Sequence, residues 1–383
     1  MKKISKYPDV SVIVVNHDGK HLLEECFSSL SKLDYPRKKL QMIMVDNCSA
    51  DGSSRFIKKK FPQAIVLENR VNNYCRANNL GIERSGGDYV AVLNNDTRVD
   101  RYWLKGLTNI AAKDDRIGAV GSKILFSDEK IQSAGHEEFP YYYYGDKGLL
   151  EEDMGQYDDI QEVSSISNCS ALYKRKALDD IGLFDEDFNM YMEDVDCAFR
   201  LKKNNWKIFY APASKVYHKL HGSALSPKDR VFYIERNRLL FIAKYFPENL
   251  KANFSGHGEI SRLDPDLFNK LLLSVYNKLA KHHGNDKASR IFFNLNDEVN
   301  KTYNYGRHVL QVEKDNNLKT ELAQLRKLDE EARARDNNIK ALRDTLAEKD
   351  SLLKELSIKL PISEDTIRKL HEEVRARDNH IKS

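Results

Sequence analysis

Cysteines are few and long apolar runs are missing in this chain of 383 residues. The five cysteines are scattered and form no CxxC pair, which disfavours a disulfide framework and a zinc site and fits a reducing, cytoplasmic setting. No apolar run approaches the roughly 18 residues of a membrane span, and none behind the charged N-terminus is long enough for a signal peptide. The net charge of +4 gives no indication of a nucleic-acid partner.

Glycine-rich phosphate loops are absent as well. Neither GxGxxG nor GxxxxGKS/T occurs, so a dinucleotide site and a P-loop site are disfavoured. In the first part of the chain, buried-strand patterns instead alternate with helical ones. The strand patterns cover residues 10–15, 40–45, 64–68 and 89–93, and the helical patterns cover residues 21–33, 53–61 and 75–85. This alternation predicts an α/β fold with a mostly parallel sheet.

Polar side chains directly follow these predicted strands. They are Asn16, Asp46, Glu68, Asn69, Asn94, Asn95 and Asp96. Open parallel sheets bind their ligands just beyond the carboxyl ends of the strands. The acids and amides therefore predict a polar ligand site that uses no glycine fingerprint.

The stretch MYMEDVDCAFRL (190–201) predicts a helix whose apolar side begins with an acid. Apolar residues follow Asp194 at the third, fourth and seventh positions and share its face. Asp196 and Arg200 lie on another face, where an i,i+4 ion pair would account for both. A carboxylate on a buried face is costly unless function requires it, so Asp194 is the candidate reactive acid.

Residues 222–310 are predicted to be mostly helical and to pack on the domain formed by residues 1–221. The stretches 230–246 and 266–283 have amphipathic spacing. The first of them carries Arg230, Arg236, Arg238 and Lys244. These side chains indicate either a solvated basic face over a packed core or a phospholipid-facing surface. Peripheral contact with the inner face of a membrane therefore stays open.

Residues 311–383 change to an apolar repeat of seven residues. The main series is Leu318, Leu325, Ala332, Ile339, Leu346, Leu353, Leu360, Ile367, Val374 and Ile381, and a second series is Leu328, Leu342, Leu356 and Leu370. Such a heptad seam predicts a coiled coil, through which the protein would form a homo-oligomer. The segment EEARARDNNIK (330–340) returns 42 residues later as EEVRARDNHIK. Because this second copy ends with the chain, we expect the natural protein to continue past Ser383.

Four segments, taken in order, resemble family 2 glycosyltransferases, the inverting enzymes with a GT-A fold, and among them the rhamnosyltransferase-like branch. They are SVIVVNHDGKHLLEECFSSL, VDNCSADGS, NNYCRANNLGI with GGDYVAVLNNDT, and IGLFDEDFNMYMEDVDCAFRLKKNNWKIFYAPASKVYH. The ordered set spans residues 10–218. The resemblance implies a Rossmann-like central sheet. It also implies transfer of a sugar from a nucleotide diphosphate to a glycan or lipid-linked glycan acceptor.

The resemblance further implies a metal site near LNNDT (93–97). Asp96 is in register with the last acid of the family's DxD-like motif, whereas Asn94 stands where the first acid is expected. A divalent cation at this place, Mn2+ or Mg2+, offsets the charge that builds on the departing diphosphate. His218 matches a histidine that ligates the metal in relatives, and His221 is a nearby competitor.

The same resemblance implies which residues bind the nucleotide sugar. Asp46 stands where relatives accept a hydrogen bond from a pyrimidine base, which suits a UDP- or dTDP-linked donor, although a turn or cap role is the alternative. Arg76 would pair with a phosphate. Tyr74 and Cys75 replace the small residues that are common in the family. The predicted donor-binding set is Asn16, Asp46, Arg76, Asn79, Asn94, Asn95 and Asp96.

Asp194 matches the family's general base, the carboxylate that takes the proton of the acceptor hydroxyl as it attacks the anomeric carbon. We expect the N-terminus of its helix to keep this carboxylate ionised. Glu193 and Asp196 accompany it and are expected to orient and brace rather than react. On the acceptor side the candidates are SISNCSALYKRKAL (165–178) and FPYYYYGD (139–146). The second segment either stacks on an acceptor or is an ordinary packed loop.

The sequence therefore predicts a metal-dependent inverting glycosyltransferase, and two alternatives stay open. The first is a non-catalytic, degenerate transferase fold that serves as a scaffold for the coiled coil, favoured by Asn94 and by the Tyr74–Cys75 replacement. The second is a nucleotidyltransferase, for which VNHDGKHLLEE offers only Gly19 and Lys20 as phosphate-loop residues.

Overall fold

A computed structural model of the chain describes residues 7–220, 226–254, 258–261 and 263–295. The predicted coiled coil (311–383) and the competitor His221 lie outside these described residues. The chain divides into two compact units, of which the first ends at Pro227 and the second begins at Lys228. The first unit thus ends a few residues after the predicted boundary at residue 221.

The first unit alternates strands and helices as expected. Its strands are β1 (Val10–Asn16), β2 (Leu40–Asn47), β3 (Ile65–Asn69), β4 (Tyr89–Asn94), β5 (Thr97–Val99), β6 (Ile117–Leu125), β7 (Ile131–Ser133), β8 (His136–Phe139), β9 (Tyr143–Asp146), β10 (Gln161–Glu162), β11 (Ser170–Lys174) and β12 (Lys207–His218). Its helices include α1 (Lys20–Ser31), α2 (Ser53–Lys60), α3 (Tyr74–Glu83), α4 (Trp103–Ala111), α5 (Arg175–Ile181) and α6 (Glu193–Lys203). Every strand and helix predicted from the early part of the sequence is present, within a few residues of its expected bounds.

The central sheet has the strand order β10-β12-β6-β11-β4-β1-β2-β3. β1 pairs in parallel with both β2 and β4, β2 with β3, and β6 with β12. β11 lies between β4 and β6 and is antiparallel to both. The sheet is therefore mixed but mostly parallel, which confirms the predicted fold class.

Both faces of the sheet are covered by helices, which is why β1 reads as one continuous apolar run. Every residue of β1 is buried. Val12 and Val14 belong to a core cluster on one face that includes Phe27 of α1 and Leu107 of α4. On the other face α3 comes so close to Ile13 that a Cβ on Gly81 would overlap it. This layering leaves the carboxyl ends of the parallel strands as the place for polar groups.

The second unit is helical in its described part. Its helices are α7 (Pro227–Tyr245), α8 (Leu250–Phe254), α9 (Gly258–Ser261) and α10 (Pro265–His283), and residues 285–295 are also helical. The side chain of Asp264 caps α10 by accepting a hydrogen bond from the amide of Leu267 at 2.9 Å. Within the described ranges, no helix is both long enough and apolar enough to cross a bilayer.

The predicted basic face of α7 needs one correction. Arg238 is not solvated, because it is 1% exposed and its guanidinium lies 2.8 Å from the equally buried carboxylate of Glu235. The guanidinium also donates to the backbone oxygen of Asn253 at 3.1 Å. A buried guanidinium needs such partners to offset its lost hydration. Arg238 therefore braces the interior of this unit and contributes nothing to a lipid-facing surface.

Candidate active site

The polar residues predicted to follow the strands lie side by side at one edge of the sheet. In the register of β1 with β2, Asn16 is opposite Asp46, and in the register with β4, Asn94 is opposite Val15. Asp46 is in turn opposite Glu68 of β3. The parallel pairing thus gathers groups that are far apart in sequence into one row.

Two buried amides form the centre of this row. The side-chain nitrogen of Asn95 donates to the side-chain oxygen of Asn16 at 2.7 Å, and the amide of Asn16 donates to the hydroxyl of Ser49 at 3.3 Å. Gly19 lies against the pair, and a Cβ at this position would overlap both amides. The first turn of α1 therefore requires glycine here for close approach to the site rather than for a phosphate loop.

The carboxylate of Asp46 holds the loop that follows β2. One oxygen accepts from the amide of Ser49 at 2.8 Å, and the other accepts from the hydroxyl of Ser54 at 2.5 Å. Asp51 shapes the same region by accepting from the amide of Lys20 at 2.8 Å. The turn role that was the alternative for Asp46 is therefore present. Its contact with a pyrimidine base stays a prediction, for which the carboxylate retains further lone pairs.

The two predicted donor-binding residues on α3 have different surroundings. Arg76 is exposed in the first turn of the helix. Asn79 is buried, and its side-chain amide forms two hydrogen bonds with the backbone of Phe184. Its nitrogen donates to the backbone oxygen at 2.8 Å, and its oxygen accepts from the backbone nitrogen at 2.9 Å. The side chain is thus occupied in joining α3 to the 184 region, and the donor-binding role of Asn79 stays a prediction.

Asp96 and His218 meet as predicted from their places in the motif order. β5 begins one residue after Asp96 and pairs with the end of β12, where His218 is opposite Thr97. This pairing brings Nε2 of His218 to 2.9 Å from Oδ1 of Asp96, with both side chains almost fully buried. Burial lowers the pKa of His218, but its contacts with Cys169 and Asp96 outweigh burial and raise that pKa to about 10.

The pair has a donor set that fits a divalent cation. A carboxylate oxygen and an imidazole nitrogen lie 2.9 Å apart here, and both are ligand types that Mn2+ and Mg2+ accept. The other ring nitrogen, Nδ1 of His218, lies 2.8 Å from the side-chain oxygen of Gln132 on β7. Such a bond fixes the ring orientation and leaves Nε2 for the metal. Gln132 had no signal in the sequence.

Two protein ligands are too few to hold an ion by themselves. Among the described residues, no three His, Cys, Asp or Glu side chains are arranged to hold a metal together. Magnesium and manganese commonly complete their coordination with substrate phosphates and water. An ion at Asp96 and His218 would therefore be bound together with a diphosphate.

Asp194 lies in the first turn of α6, as predicted, beside a more deeply buried Glu193. The backbone amide of Asn168 donates to Oδ2 of Asp194 at 3.3 Å, and the amide of Val195 donates to Oδ1 at 2.8 Å. These bonds favour the ionised form, yet burial outweighs them and raises the pKa of Asp194 above its ordinary value. Burial thus opposes the ionised form that we expected the helix N-terminus to favour, and that expectation stays a prediction.

The other two acids of the motif are buried, and the sequence pattern did not predict this. Glu193 is 5% exposed, and burial followed by the charge of Asp194 raises the pKa of Glu193 to about 8. Asp196 is fully buried and forms the predicted i,i+4 pair, with Nε of Arg200 at 2.9 Å. Arg200 also donates to the backbone oxygen of Ile181 at 2.8 Å. The pair therefore fastens α6 to the end of α5 and braces the helix that carries Asp194.

The chain enters α6 through a constrained segment. Asn189, Tyr191 and Met192 all have left-handed φ angles between 63° and 66°. Each such non-glycine residue costs about 1–2 kcal/mol. Contacts with α3 hold the segment in place, since the backbone and side-chain oxygens of Asn189 accept from the amides of Cys75 and Tyr74, both at 3.0 Å. The position of Asp194 is thus set by α3 as well as by α6.

Asn168 connects the acids of α6 with the strand ends, and sequence reasoning missed it. Its side-chain nitrogen donates to Glu193 at 3.1 Å, and its backbone oxygen accepts from the hydroxyl of Tyr74 at 3.3 Å. That hydroxyl lies 3.2 Å from the side-chain oxygen of Asn94. The only sequence signal for Asn168 was its place in SNCSA, where the family has more glycine. Tyr74, a departure from the family, is what bridges the two halves of the site.

The aromatic segment 139–146 is a hairpin loop at the surface. β8 and β9 pair antiparallel around a short 3-10 turn at Pro140–Tyr142. Phe139 and Tyr141 are about half exposed. Residues 142–146 are half-buried, so stacking on an acceptor and an ordinary packed loop both stay open.

Comparison with known proteins agrees with this site. Residues 11–182 match the sequence profile of Glycosyl transferase family 2. The N-acetylglucosaminyl-diphospho-decaprenol L-rhamnosyltransferase of Mycobacterium tuberculosis is 26% identical over 261 residues, which cover 61% of this chain and 83% of that protein. The O-antigen biosynthesis protein RfbC of Myxococcus xanthus is 26% identical over 236 residues, 58% of this chain but only 18% of that larger protein.

Solved structures share the fold. GalNAc-T7 with UDP, GalNAc and Mn2+ superposes with a TM-score of 0.52 at 15% identity, covering 72% of this chain and 58% of that one. Residues 1–349 of S. aureus TarS in complex with UDP-GlcNAc superpose with a TM-score of 0.50 at 15% identity, covering 79% and 91%. At such identity the similarity concerns the fold, which is that of the GT-A glycosyltransferases.

Residues 11–182 are therefore similar to glycosyl transferase family 2. This agrees with the resemblance that the ordered motifs indicated and confirms the enzyme class, glycosyltransferase. Its relatives include rhamnosyltransferases and O-antigen biosynthesis proteins.

Proposed function

We propose that the first unit is a metal-dependent, inverting glycosyltransferase. One observation carries the proposal: a buried Asp96–His218 pair and the partly buried Asp194 belong to separate elements that the hydrogen bonds of Tyr74 and Asn168 link. The Asp96–His218 pair would hold the departing diphosphate, and Asp194 would receive the acceptor hydroxyl. A reaction between two substrates needs such a division within one site.

The proposed donor is a UDP- or dTDP-linked sugar, and the proposed acceptor is a glycan or lipid-linked glycan. Support comes from the mycobacterial relative, whose name describes transfer of L-rhamnose to an N-acetylglucosaminyl-diphospho-decaprenol. Rhamnose is therefore the first sugar to test. The donor would lie along the row of strand ends, against Asn16, Asp46, Asn94 and Asn95, with the exposed Arg76 available to a phosphate.

A divalent cation, Mn2+ or Mg2+, would supply positive charge that stabilises the departing diphosphate. Asp96 and His218 are the residues that would hold it. Gln132 keeps the His218 ring oriented through Nδ1. The neighbour GalNAc-T7, which was solved with Mn2+, is consistent with this cofactor.

Asp194 would act as the general base. It accepts the proton of the acceptor hydroxyl while the acceptor oxygen bonds to the anomeric carbon and the bond from that carbon to the diphosphate oxygen breaks. Attack from the side opposite the diphosphate inverts the anomeric configuration. The amide of Asn168 holds one carboxylate oxygen in place during this transfer.

Calorimetric binding of nucleotides tests the proposal most directly. UDP, dTDP, GDP and CMP are each titrated into the full chain with Mn2+ and again with a chelator. We expect one pyrimidine diphosphate to bind only with the metal present. We expect His218→Ala to lose this binding, so that its titrations with Mn2+ and with the chelator look alike.

One result of this titration would contradict the proposed enzyme. If a folded sample bound none of the four nucleotides, the non-catalytic scaffold would replace the enzyme as the better interpretation. CMP serves as the matched control, because it carries a pyrimidine base without a diphosphate.

A further inference from the structure

His136, at the start of β8, is a buried histidine held on two sides. Its Nδ1 lies 3.1 Å from the hydroxyl of Ser165, and its Nε2 lies 3.5 Å from a carboxylate oxygen of Asp146 on β9. Its backbone amide also donates to the oxygen of Ser165 at 3.0 Å. The imidazole therefore has a fixed position between the hairpin and the segment that follows β10.

That segment leads directly to the acids of α6. Three residues after Ser165, Asn168 donates through its backbone to Asp194 and through its side chain to Glu193. His136 and Asp146 of the hairpin also interact electrostatically with Asp194, so that they form one partly buried cluster with the two acids of α6. The cluster contains three carboxyl groups and one imidazole.

We propose that His136 is a positioning residue that keeps Asp194 in the ionised form that a general base requires. Ser165 and Asp146 hold its positive charge against the acid pair of α6. The inference rests on the proposed function, because it explains how that base works beside Glu193. Two adjacent carboxyl groups in a buried site cannot both ionise easily, and a nearby cation decides which of them does.

The electrostatics of the cluster agree with this role. Burial opposes the charged form of His136, but the bond to Asp146 and the charges of Asp194 and Glu193 raise its pKa above the ordinary value. Burial likewise raises the pKa of Asp194, and the charge of His136 is the largest influence that lowers it. Asp146 acts on Asp194 in the opposite direction.

The other titratable groups that face Asp194 do not compete for this role. They are Tyr173 of β11, Cys75 of α3 and Cys197 of α6, and burial raises the pKa of each. They stay neutral at working pH. Glu193 is the remaining neighbour, and burial followed by the charge of Asp194 raises its pKa to about 8.

The variant His136→Asn tests the proposal through the pH profile of kcat/KM. Asparagine keeps a polar atom near Ser165 but carries no charge. Without the imidazolium the pKa of Asp194 rises, so the base loses its proton only at higher pH. We expect the acid limb of the profile to move up by about 1–3 pH units, with kcat/KM recovering towards wild type above it.

Glu137→Gln is the matched control, because Glu137 is the exposed next residue of β8 and its substitution also changes one charge on the hairpin. We expect its acid limb to coincide with that of the wild type. A purely structural residue would lower kcat/KM at every pH without moving the acid limb of its pH profile. That result in His136→Asn would overturn the proposal.

A titration by nuclear magnetic resonance provides a second test that needs no turnover. Coupling is reciprocal, so neutralising Asp194 must lower the pKa of His136. In protein with 15N-labelled histidine, we expect the pH midpoint of the His136 titration to be lower in Asp194→Asn than in the wild type. An unchanged midpoint would contradict the inference. If the wild type transferred no sugar at all, the proposed function would fail while this titration still decided the role of His136.

Discussion

Glu193 and Asp194 are adjacent in sequence but are solvated differently. Asn168 donates to one oxygen of Glu193, and the other oxygen has no hydrogen-bond partner within the described part of the chain. Asp194 is only partly buried and accepts from two backbone amides. Environments that push two pKa values apart assign two roles. Glu193, whose pKa burial raises the more, is suited to orientation, and Asp194 is suited to accepting a proton.

Replacement of Asp194 by asparagine tests this assignment. The amide side chain would keep the shape of the carboxylate but could not accept the proton, so we expect Asp194→Asn to lower kcat by about 10²–10⁴. Nucleotide binding, measured by calorimetry, should stay nearly unchanged because the strand ends are untouched. Lost binding together with residual transfer would contradict the base assignment.

Asn79 is expected to matter for stability rather than for the donor. Asn79→Ala leaves the backbone groups of Phe184 buried and unpaired, so we expect the free energy of unfolding to fall by about 1–3 kcal/mol. Denaturant unfolding measures this change. Arg76→Ala is the contrasting variant: Arg76 is exposed, so its loss should weaken nucleotide binding and spare stability. Weaker nucleotide binding with unchanged stability in Asn79→Ala would instead support its donor-binding role.

The loop between β9 and β10 is fastened to the sheet by a buried lysine of β6. The ammonium group of Lys123 has no exposed surface and lies 2.8 Å from Asp153 and 2.5 Å from Asp158. A second contact comes from the hydroxyl of Tyr210, which donates to the backbone oxygen of Tyr157 at 3.0 Å. The loop connects the His136 hairpin to β10, so its attachment also limits how far the hairpin can move.

Lys123→Met removes the charge from this attachment and keeps most of the volume. We expect the free energy of unfolding to fall by up to about 3 kcal/mol, the low end for a broken buried pair, because Asp158 is 60% exposed and regains water. Limited proteolysis should also cut faster within residues 147–160. Lys130→Met is the control, since Lys130 and its partner Glu152 are both exposed. Equal proteolysis of the two variants would contradict the fastening role.

For the molecule as a whole, the heptad series of residues 311–383 predicts self-association. Isolated heptad helices are unstable until their apolar seams are paired, so we expect the full chain to be an oligomer. Removal of residues 311–383 should lower the mass measured by light scattering to that of a monomer and leave the circular dichroism of the remainder intact. An unchanged mass would contradict the coiled-coil role.

Local patterns in the sequence were enough to predict the fold class and the parallel half of the sheet. Apolar runs and helical spacing predicted β1 to β4, α1 to α3 and α6, because each pattern lies within one strand or helix. The i,i+4 spacing of Asp196 and Arg200 predicted their ion pair for the same reason. The order of the motifs identified the family and placed Asp96 and His218 in one site, since the topology of that family fixes where those motifs meet.

Other features depend on partners that are distant in the chain, and only the folded structure reveals them. Asn79 meets Phe184 across 105 residues, and His218 meets Gln132 across 86. The burial of Glu193 and the charge of His136 beside Asp194 likewise arise from separate elements packed together. No local pattern encodes such a neighbour, because hydration, hydrogen bonding and pKa depend on what the fold brings within a few ångströms. Sequence patterns thus specified the early elements and the family resemblance, because they are local, and packing decided which polar side chains hold the structure and which stay available to a ligand.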